Sequence, residues 1–352
     1  MLLSGIFPAA TTPFYSDGSI YFKKLEHNLD RYSKAPLAGV VILGSTGEAI
    51  LLSDQERRDV LKCARGAVTP EKVLIAGVGH ESARETIALS EHAATLGYDV
   101  AMVRTPHYYK AQMNPPQMLA FYRFVCDQSP LPVIIYNFPQ ATGYDIPAEL
   151  VIELAGHPNL IGIKESSGNM EKVEKMVAGT RHIKRQVAVT EQQQAVTARL
   201  RSAPAAASAP TAEFVPAQAI GGAAVATAPP KVTLKTRQRE VGFQVMVGSA
   251  QTLKESLDRG AVGAILAFAD CAPTACFEIY AAWKDGDMAL AGEKQARIKE
   301  AATTIVGKYT IPAIKYAMDL NGYYGGPPRL PLLPPDATIK ADIERLMENI
   351  RN

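Results

Sequence analysis

Eight short apolar runs of β type recur along the chain at intervals too long for hairpins. They are roughly Ile6–Thr12, Gly39–Gly44, Val73–Val78, Val100–Thr105, Val133–Phe138, Leu160–Ser166, Phe243–Gly248 and Ala261–Ala267. Most of the gaps between them carry helical patterns. Ser53-Asp54-Gln55-Glu56 is a capping box opening a helix that reaches about Ala67, and residues 81–96 place Ala83, Ile87 and Ala94 on one stripe. Runs such as Val40-Val41-Ile42-Leu43 and Val133-Ile134-Ile135-Tyr136 are apolar on both faces, which suits strands of a parallel sheet covered on both sides. Strand and helix alternating about eight times predicts an α/β fold, the (β/α)8 TIM barrel, and 352 residues accommodate one with additions.

Two regions depart from the alternation. After about residue 272 the pattern is helical only, which predicts a barrel over 1–271 and a C-terminal helical region over 272–352. Within the barrel, residues 187–239 leave the strand-helix rhythm, and Ala203–Pro230 is rich in Ala and Pro with Glu213 as its single charge. That composition buries little and reads as a low-complexity insertion, with room for a short helix in Glu191–Arg201. It falls between a helix and a strand, so it belongs to the N-terminal face of the barrel, opposite the chemistry. A tolerated expansion is the reading favoured over a partner-binding segment.

Within Leu160–Ser166 one lysine, Lys164, follows Leu160-Ile161-Gly162-Ile163. Strand alternation points Gly162, Lys164 and Ser166 one way and Ile161, Ile163 and Glu165 the other. Lysines are rarely buried without a task. Desolvation disfavours an ammonium and leaves an amine able to attack a carbonyl carbon. The stretch alone is equally compatible with a lysine snorkelling to solvent.

Barrel sites are assembled from the C-terminal ends of the strands. Here those ends offer Gly44-Ser45-Thr46-Gly47-Glu48, Thr105-Pro106-His107-Tyr108-Tyr109, Tyr136-Asn137-Phe138-Pro139, Lys164-Glu165-Ser166 and Gly248-Ser249-Ala250. The inventory holds one amine, several hydroxyls, phenols and backbone donors. It matches Schiff-base carbonyl chemistry, in which Lys164 attacks a keto carbon and the iminium serves as an electron sink. Tyr136 would relay protons, and the Ser45-Thr46 turn suits a small carboxylate. Taken singly, such a turn is usually only a turn and such a tyrosine only packs.

Other classes find little support. A net charge of +2 with 20% charged residues and no basic run gives no footprint for nucleic acid. The N-terminal stretch Met1–Phe14 lacks a basic flank and a long apolar core, so neither a signal peptide nor a membrane anchor is expected. Cys63, Cys126, Cys271 and Cys276 show no metal-type pairing and read as reduced thiols of a cytoplasmic protein. No cofactor and no metal are expected.

With these motifs in order, the chain resembles the dihydrodipicolinate synthase and N-acetylneuraminate lyase family of class I aldolases. The carriers are Gly44-Ser-Thr-Gly-Glu48, Thr105-Pro-His-Tyr-Tyr109, Tyr136-Asn-Phe-Pro139 and Ile163-Lys-Glu-Ser166. The resemblance implies that Lys164 is the Schiff-base lysine and Tyr136 the general acid/base. It implies that Ser45 continues the proton relay, that Ser45 and Thr46 hold the pyruvate carboxylate, and that Tyr109 completes the relay, in many members from a neighbouring subunit. Ser166, Gly248 and Ile265 fall at positions that line the pocket. A homotetramer or dimer is implied, acting on a small 2-oxo acid with neither nucleic acid nor membrane as partner.

Departures from the family pattern shape the expected activity. Typical synthases carry an arginine shortly after the Tyr-Asn-x-Pro motif to receive the carboxylate of aspartate semialdehyde, and Ala141 falls there. Ala101–Pro106, Thr142–Pro147, Phe243–Ala250 and Gly322–Pro327 are similar instead to 4-hydroxy-2-oxoglutarate aldolases. Asp270 stands where an asparagine is common, which leaves the polar contacts of that loop open. The leading expectation is an aldolase joining or splitting pyruvate and an aldehyde, as in 4-hydroxy-2-oxoglutarate. The alternatives are a dihydrodipicolinate synthase condensing pyruvate with aspartate semialdehyde, and a non-catalytic keto-acid-binding barrel. His107 is read as structural, Glu48 as a local cap or pair, and Arg104 and Lys110 as solvated strand-end charge.

Overall fold

The computed structural model describes residues 1–202 and 235–350. Its strands are β1 (Gly5–Pro8), β2 (Gly39–Ile42), β3 (Val73–Gly77), β4 (Val100–Arg104), β5 (Val133–Asn137), β6 (Leu160–Glu165), β7 (Arg185–Thr190), β8 (Thr236–Val241), β9 (Gln244–Val247) and β10 (Gly263–Leu266). Eight of them form one parallel sheet in the order β2-β3-β4-β5-β6-β9-β10-β1. A parallel bridge between Ala9 and Val41 brings the first and last of these together, so the sheet curls into the expected TIM barrel.

Helices cover its outside: α1 (Phe22–Lys34), α2 (Asp54–Ala67), α3 (Ala83–Thr95), α4 (Pro115–Gln128), α5 (Pro139–Thr142), α6 (Ala148–Leu154), α7 (Met170–Gly179), α8 (Ala198–Ser202), α9 (Leu253–Asp258) and α10 (Pro273–Lys284). Three more follow, α11 (Met288–Ala301), α12 (Thr310–Leu320) and α13 (Ala337–Met347). The capping box opens α2 as the sequence suggests, with Ser53 Oγ accepting from the Glu56 N–H and Glu56 accepting from the Ser53 N–H. No helix among the described residues is long and apolar enough to cross a membrane.

Alternation along the strands separates two apolar layers. Val41, Ile75, Val100, Met102, Ile134, Met246 and Ile265 fill the barrel interior, while Val40, Ile42, Ala101, Val103, Ile135 and Ile163 pack under the helices. Strand β6 breaks this rule once. Val133 pairs with Leu160 and Ile134 with Gly162, leaving Ile161 as an extra residue in a bulge. Ile161 therefore joins the interior cluster, against the expectation that it faces outward with Ile163 and Glu165. Beyond the bulge alternation resumes, and Gly162 must stay bare because a Cβ there would stand 2.3 Å from the Gln244 carbonyl oxygen.

Strands β7 and β8 pair antiparallel, from Arg185 opposite Val241 to Thr190 opposite Thr236. The sequence reading had no hairpin here; its short helix is seen as α8. Val187, Val189 and Val241 bury Leu2, and Arg185 donates to the carbonyls of Ala155 and His157. Arg199 of α8, 2% exposed, donates to the carbonyls of Val68 and Lys72, and Asp99 accepts from the Ala198 N–H. All these partners lie in the chain segments that lead into barrel strands, at the N-terminal face. The Ala203–Pro230 tract lies outside the described residues.

Candidate active site

Lys164 sits on the interior side of β6, 4% exposed, directly opposite Tyr136 in the β5–β6 register. Its Nζ lies 4.2 Å from the centroid of the Tyr136 ring. Tyr136 is 6% exposed, and its ring stacks on Phe138 with centroids 5.9 Å apart. The phenolic oxygen lies 3.2 Å from Ser45 Oγ, so one short chain of groups runs from β6 through β5 to the turn after β2. Lys164 therefore does not snorkel to solvent: its amine ends inside the barrel.

The turn that carries Ser45 is held at both ends. Leu43 and Glu48 adopt left-handed φ values of 62° and 54°, which non-glycine residues take only when their surroundings enforce it. Inside it, Gly47 N–H donates to Gly44 O and Thr12 Oγ1 donates to Gly47 O. Among the described residues neither the Ser45 nor the Thr46 N–H donates to a backbone carbonyl. Glu48 pairs with a residue far along the chain and not locally. It meets Lys315 of α12 at 2.5 Å, both side chains fully buried, and accepts from the Arg329 N–H at 2.7 Å. Lys315 also donates to the carbonyls of Thr12 and Pro327.

Of the remaining expected residues, Ser166 and Gly248 lie against each other. A Cβ on residue 248 would stand 1.9 Å from Ser166 Oγ, so glycine alone leaves that hydroxyl its place, and the hydroxyl has no hydrogen-bond partner among the described residues. Ile265 is buried in the interior cluster with Tyr136 and Met246. Thr46 is buried beside Ser45. Tyr109 stands apart: it is 64% exposed and packs edge-on against Tyr108, so within one chain it does not reach Ser45.

A cavity of 340 Å³ opens at the C-terminal end of the barrel and takes in Ser45, Tyr136, Phe138 and Ala141. It also takes in Arg57, Arg104 and His107, two of which the sequence reading had set aside. Arg104 continues the inward parity of Val100 and Met102 and is no solvated strand-end charge; it binds Glu81 at 2.8 Å and His107 Nδ1 at 2.7 Å. Burial, then the charge of Arg104, lower the pKa of His107, so its ring favours the neutral form. Arg57 was missed. It precedes Val60 and Leu61 by a helical turn on the buried face of α2, and a cation on such a stripe was the available signal. Lys110 lies outside the cavity wall, its stem against Gly143.

Asp270 ends in a fully buried carboxyl group with neither oxygen hydrogen-bonded among the described residues. Burial raises its pKa well above the usual carboxylate range, and the charge of Lys164 opposes this without cancelling it. The polar contacts that an asparagine would seek there are not made by this side chain.

Comparison with known proteins gives a consistent assignment. A family model described as the Dihydrodipicolinate synthetase family matches residues 2–188 and 219–350. The chain is 40% identical over 180 residues to a 4-hydroxy-tetrahydrodipicolinate synthase of Xanthomonas axonopodis pv. citri, covering 51% of this chain and 58% of that protein. It is 40% identical over 177 residues to an N-acetylneuraminate lyase of Rhizobium meliloti, covering 50% and 58%. The chain thus spans little more than half the length of these two relatives. Against a 4-hydroxy-tetrahydrodipicolinate synthase of Methanothrix thermoacetophila the identity is 26% over 333 residues, 95% of this chain and 92% of that protein. Among solved structures, a prophage protein of E. coli K12 in complex with pyruvate is similar at 26% identity and TM-score 0.77, covering 99% of both chains.

Proposed function

The chain belongs to the Dihydrodipicolinate synthetase family, and from that premise we propose that it is a Schiff-base aldolase acting on pyruvate and an aldehyde. The observation that carries this reading is the buried Lys164 amine, 4.2 Å from the ring of Tyr136, whose hydroxyl lies 3.2 Å from Ser45.

In the proposed reaction Lys164 Nζ attacks the keto carbon of the 2-oxo acid, and loss of water gives an iminium. Cleavage of the bond between the third and fourth substrate carbons sends its electron pair into the iminium, forming an enamine. The proton of the fourth-carbon hydroxyl passes to the Tyr136 oxygen as the phenolic proton moves on into the hydroxyl chain through Ser45, and an aldehyde leaves. Reprotonation of the enamine and hydrolysis of the imine release pyruvate and restore the amine. Condensation is the same path reversed. The N–H groups of Ser45 and Thr46, which meet no backbone carbonyl among the described residues, suit the pyruvate carboxylate. With Tyr109 exposed, its place in the relay depends on a homo-oligomer bringing it to another subunit's Ser45.

Cleavage of a 4-hydroxy-2-oxo acid such as 4-hydroxy-2-oxoglutarate is the favoured reading, because Ala141 lines the cavity where a synthase would carry its arginine. The names of the synthase relatives favour the second reading, condensation of pyruvate with aspartate semialdehyde. Borohydride reduction in the presence of pyruvate tests the shared step: wild type should gain a stable adduct mass and Lys164→Ala none. Cleavage of 4-hydroxy-2-oxoglutarate, set against product formation from pyruvate and aspartate semialdehyde, separates the two readings.

A further inference from the structure

The outer layer of the barrel is aliphatic along most strands, but β5 and β6 end there in Asn137 and Glu165, both buried. These two pair in the register one step beyond Tyr136 and Lys164, on the opposite side of the sheet. Asn137 Nδ2 lies 3.0 Å from each Glu165 oxygen and donates to Asp145 Oδ1 at 2.7 Å, while its Oδ1 accepts from the Ile146 N–H at 3.1 Å. Both ends of the amide are therefore engaged. Glu165 also accepts from the Ser167 N–H at 2.6 Å and pairs with Lys172 of α7 at 3.2 Å, and Lys172 reaches Asp145 as well.

This network lies behind the site. Asn137, Glu165 and Lys172 are not part of the cavity wall. Burying an amide and an ion pair under helices carries a desolvation cost that aliphatic side chains would avoid. Its location explains what that cost supports. The Ser166 N–H donates to the Asn137 carbonyl at 2.9 Å, the last main-chain bond between the two strand ends among the described residues. Beyond it, side chains hold the turn after Lys164 and the segment that carries Phe138, on which the Tyr136 ring stacks. Proton transfer at a lysine-bound carbon needs the phenol in place, and a displacement of about 1 Å costs about 10²-fold in rate. Resting on the pyruvate-aldolase reading above, we propose that Asn137, Glu165 and Lys172 are positioning residues of the reaction. They act through the ends of β5 and β6, holding Lys164 and Tyr136 at the spacing that proton transfer requires.

The test uses the full-length chain and follows exchange of the pyruvate methyl protons with solvent deuterium. On the iminium a methyl C–H bond breaks, its electrons form the enamine, its proton enters the Tyr136–Ser45 chain, and a deuteron returns to the carbon. No aldehyde is needed, so the readout does not depend on the second substrate. Borohydride trapping of pyruvate on the wild type comes first: absence of an adduct overturns the aldolase reading together with this one, and an adduct without exchange overturns this one alone. Asn137→Leu should lower the saturated exchange rate by about 10–100-fold while the half-saturating pyruvate concentration changes by less than about threefold, because the Ser45–Thr46 turn lies outside the network. Glu165→Gln sets a second N–H donor against the Lys172 ammonium and should lose rate likewise. Adding Lys172→Met removes that conflict and leaves the new amide free to accept from Asn137, so the rate should return to within about threefold of wild type, whatever the Tm of the double variant. A rate unchanged in Asn137→Leu overturns the assignment. Should that variant fail to fold, the other two decide: a rate unchanged in Glu165→Gln, or a double variant no faster than Glu165→Gln, overturns it.

Discussion

Lys164 Nζ lies 4.2 Å from the centroid of the Tyr136 ring, and the two residues face each other across adjacent strands in register. The ring shelters the amine while its hydroxyl points on to Ser45 at 3.2 Å. Removing only that hydroxyl separates the two tasks. Tyr136→Phe should retain pyruvate trapping by borohydride, at a reduced rate, while kcat falls by about 10²–10⁴, the usual contribution of a positioned acid/base. Steady-state kinetics with mass spectrometry of the trapped protein checks both. Equal kcat in Tyr136→Phe and wild type would remove the phenol from the mechanism.

The Glu48–Lys315 pair is fully buried, so removing one partner strands the other charge. Lys315→Met should destabilise the protein by about 3–5 kcal/mol. Adding Glu48→Gln should recover part of this, since the carbonyls of Thr12 and Pro327 still lose their donor. Chemical denaturation of both variants measures the difference, and a double variant less stable than the single one would contradict the pairing.

Asp270 provides a pH signature. Its folded pKa is raised, so the folded chain holds a proton that the unfolded chain releases above the ordinary carboxyl pKa of about 3.9. Stability is therefore lost as pH rises through that value toward the raised one, at up to about 1.4 kcal/mol per pH unit. Asp270→Asn should flatten this slope. Denaturation midpoints from pH 4 to 8 compare the two proteins, and parallel profiles would be the adverse result.

The Arg329–Glu56 pair has the opposite sign. Hydrogen bonds from Arg329 hold the Glu56 carboxyl down at about 2, against the desolvation that would raise it. Its contribution is present above the unfolded glutamate pKa of about 4.3 and lost as pH falls toward 2. Solvent screening at this partly exposed site limits it to about 1 kcal/mol. Arg329→Ala should lose at least that much at pH 7, and more through the carbonyls of Gly18 and Leu51, and the deficit should shrink in acid. An acid titration followed by circular dichroism reads it; a deficit that grows as pH falls would refute the pairing.

Arg199 tests the independence of the two barrel faces. It donates to the carbonyls of Val68 and Lys72 at the N-terminal end, away from the Lys164 mouth. Arg199→Ala should lower stability by about 2–4 kcal/mol, as expected for charge-assisted bonds to buried carbonyls, with kcat unchanged at temperatures where it stays folded. A large fall in kcat of the folded variant would link that face to the chemistry.

What the sequence made legible follows from how local each signal is. Runs apolar on both faces announced the barrel strands, and the strand-end motifs placed Lys164, Tyr136 and Ser45 at one mouth, because parallel strands bring their C-terminal ends together. Hairpin β7–β8 was not legible: its strands are separated by the Ala/Pro-rich tract, and β8 exposes Thr236 through Glu240, so it shows no buried alternation. The Ile161 bulge depends on how β6 registers against β5, which alternation along one strand does not contain. The partner of Glu48 was missed for the same reason, since a buried charge does not advertise a distant counter-ion. Arg57 was legible in principle and overlooked, because a cation beside a capping box reads first as helix surface.

The bond between Glu48 and Lys315 also sets a schedule for biosynthesis. A ribosome releases the Ser45 turn well before the helix bearing Lys315, so a nascent chain has the hydroxyl before it has the buried partner of Glu48. A message truncated before codon 315 would therefore yield a chain in which Glu48 is buried without its cation.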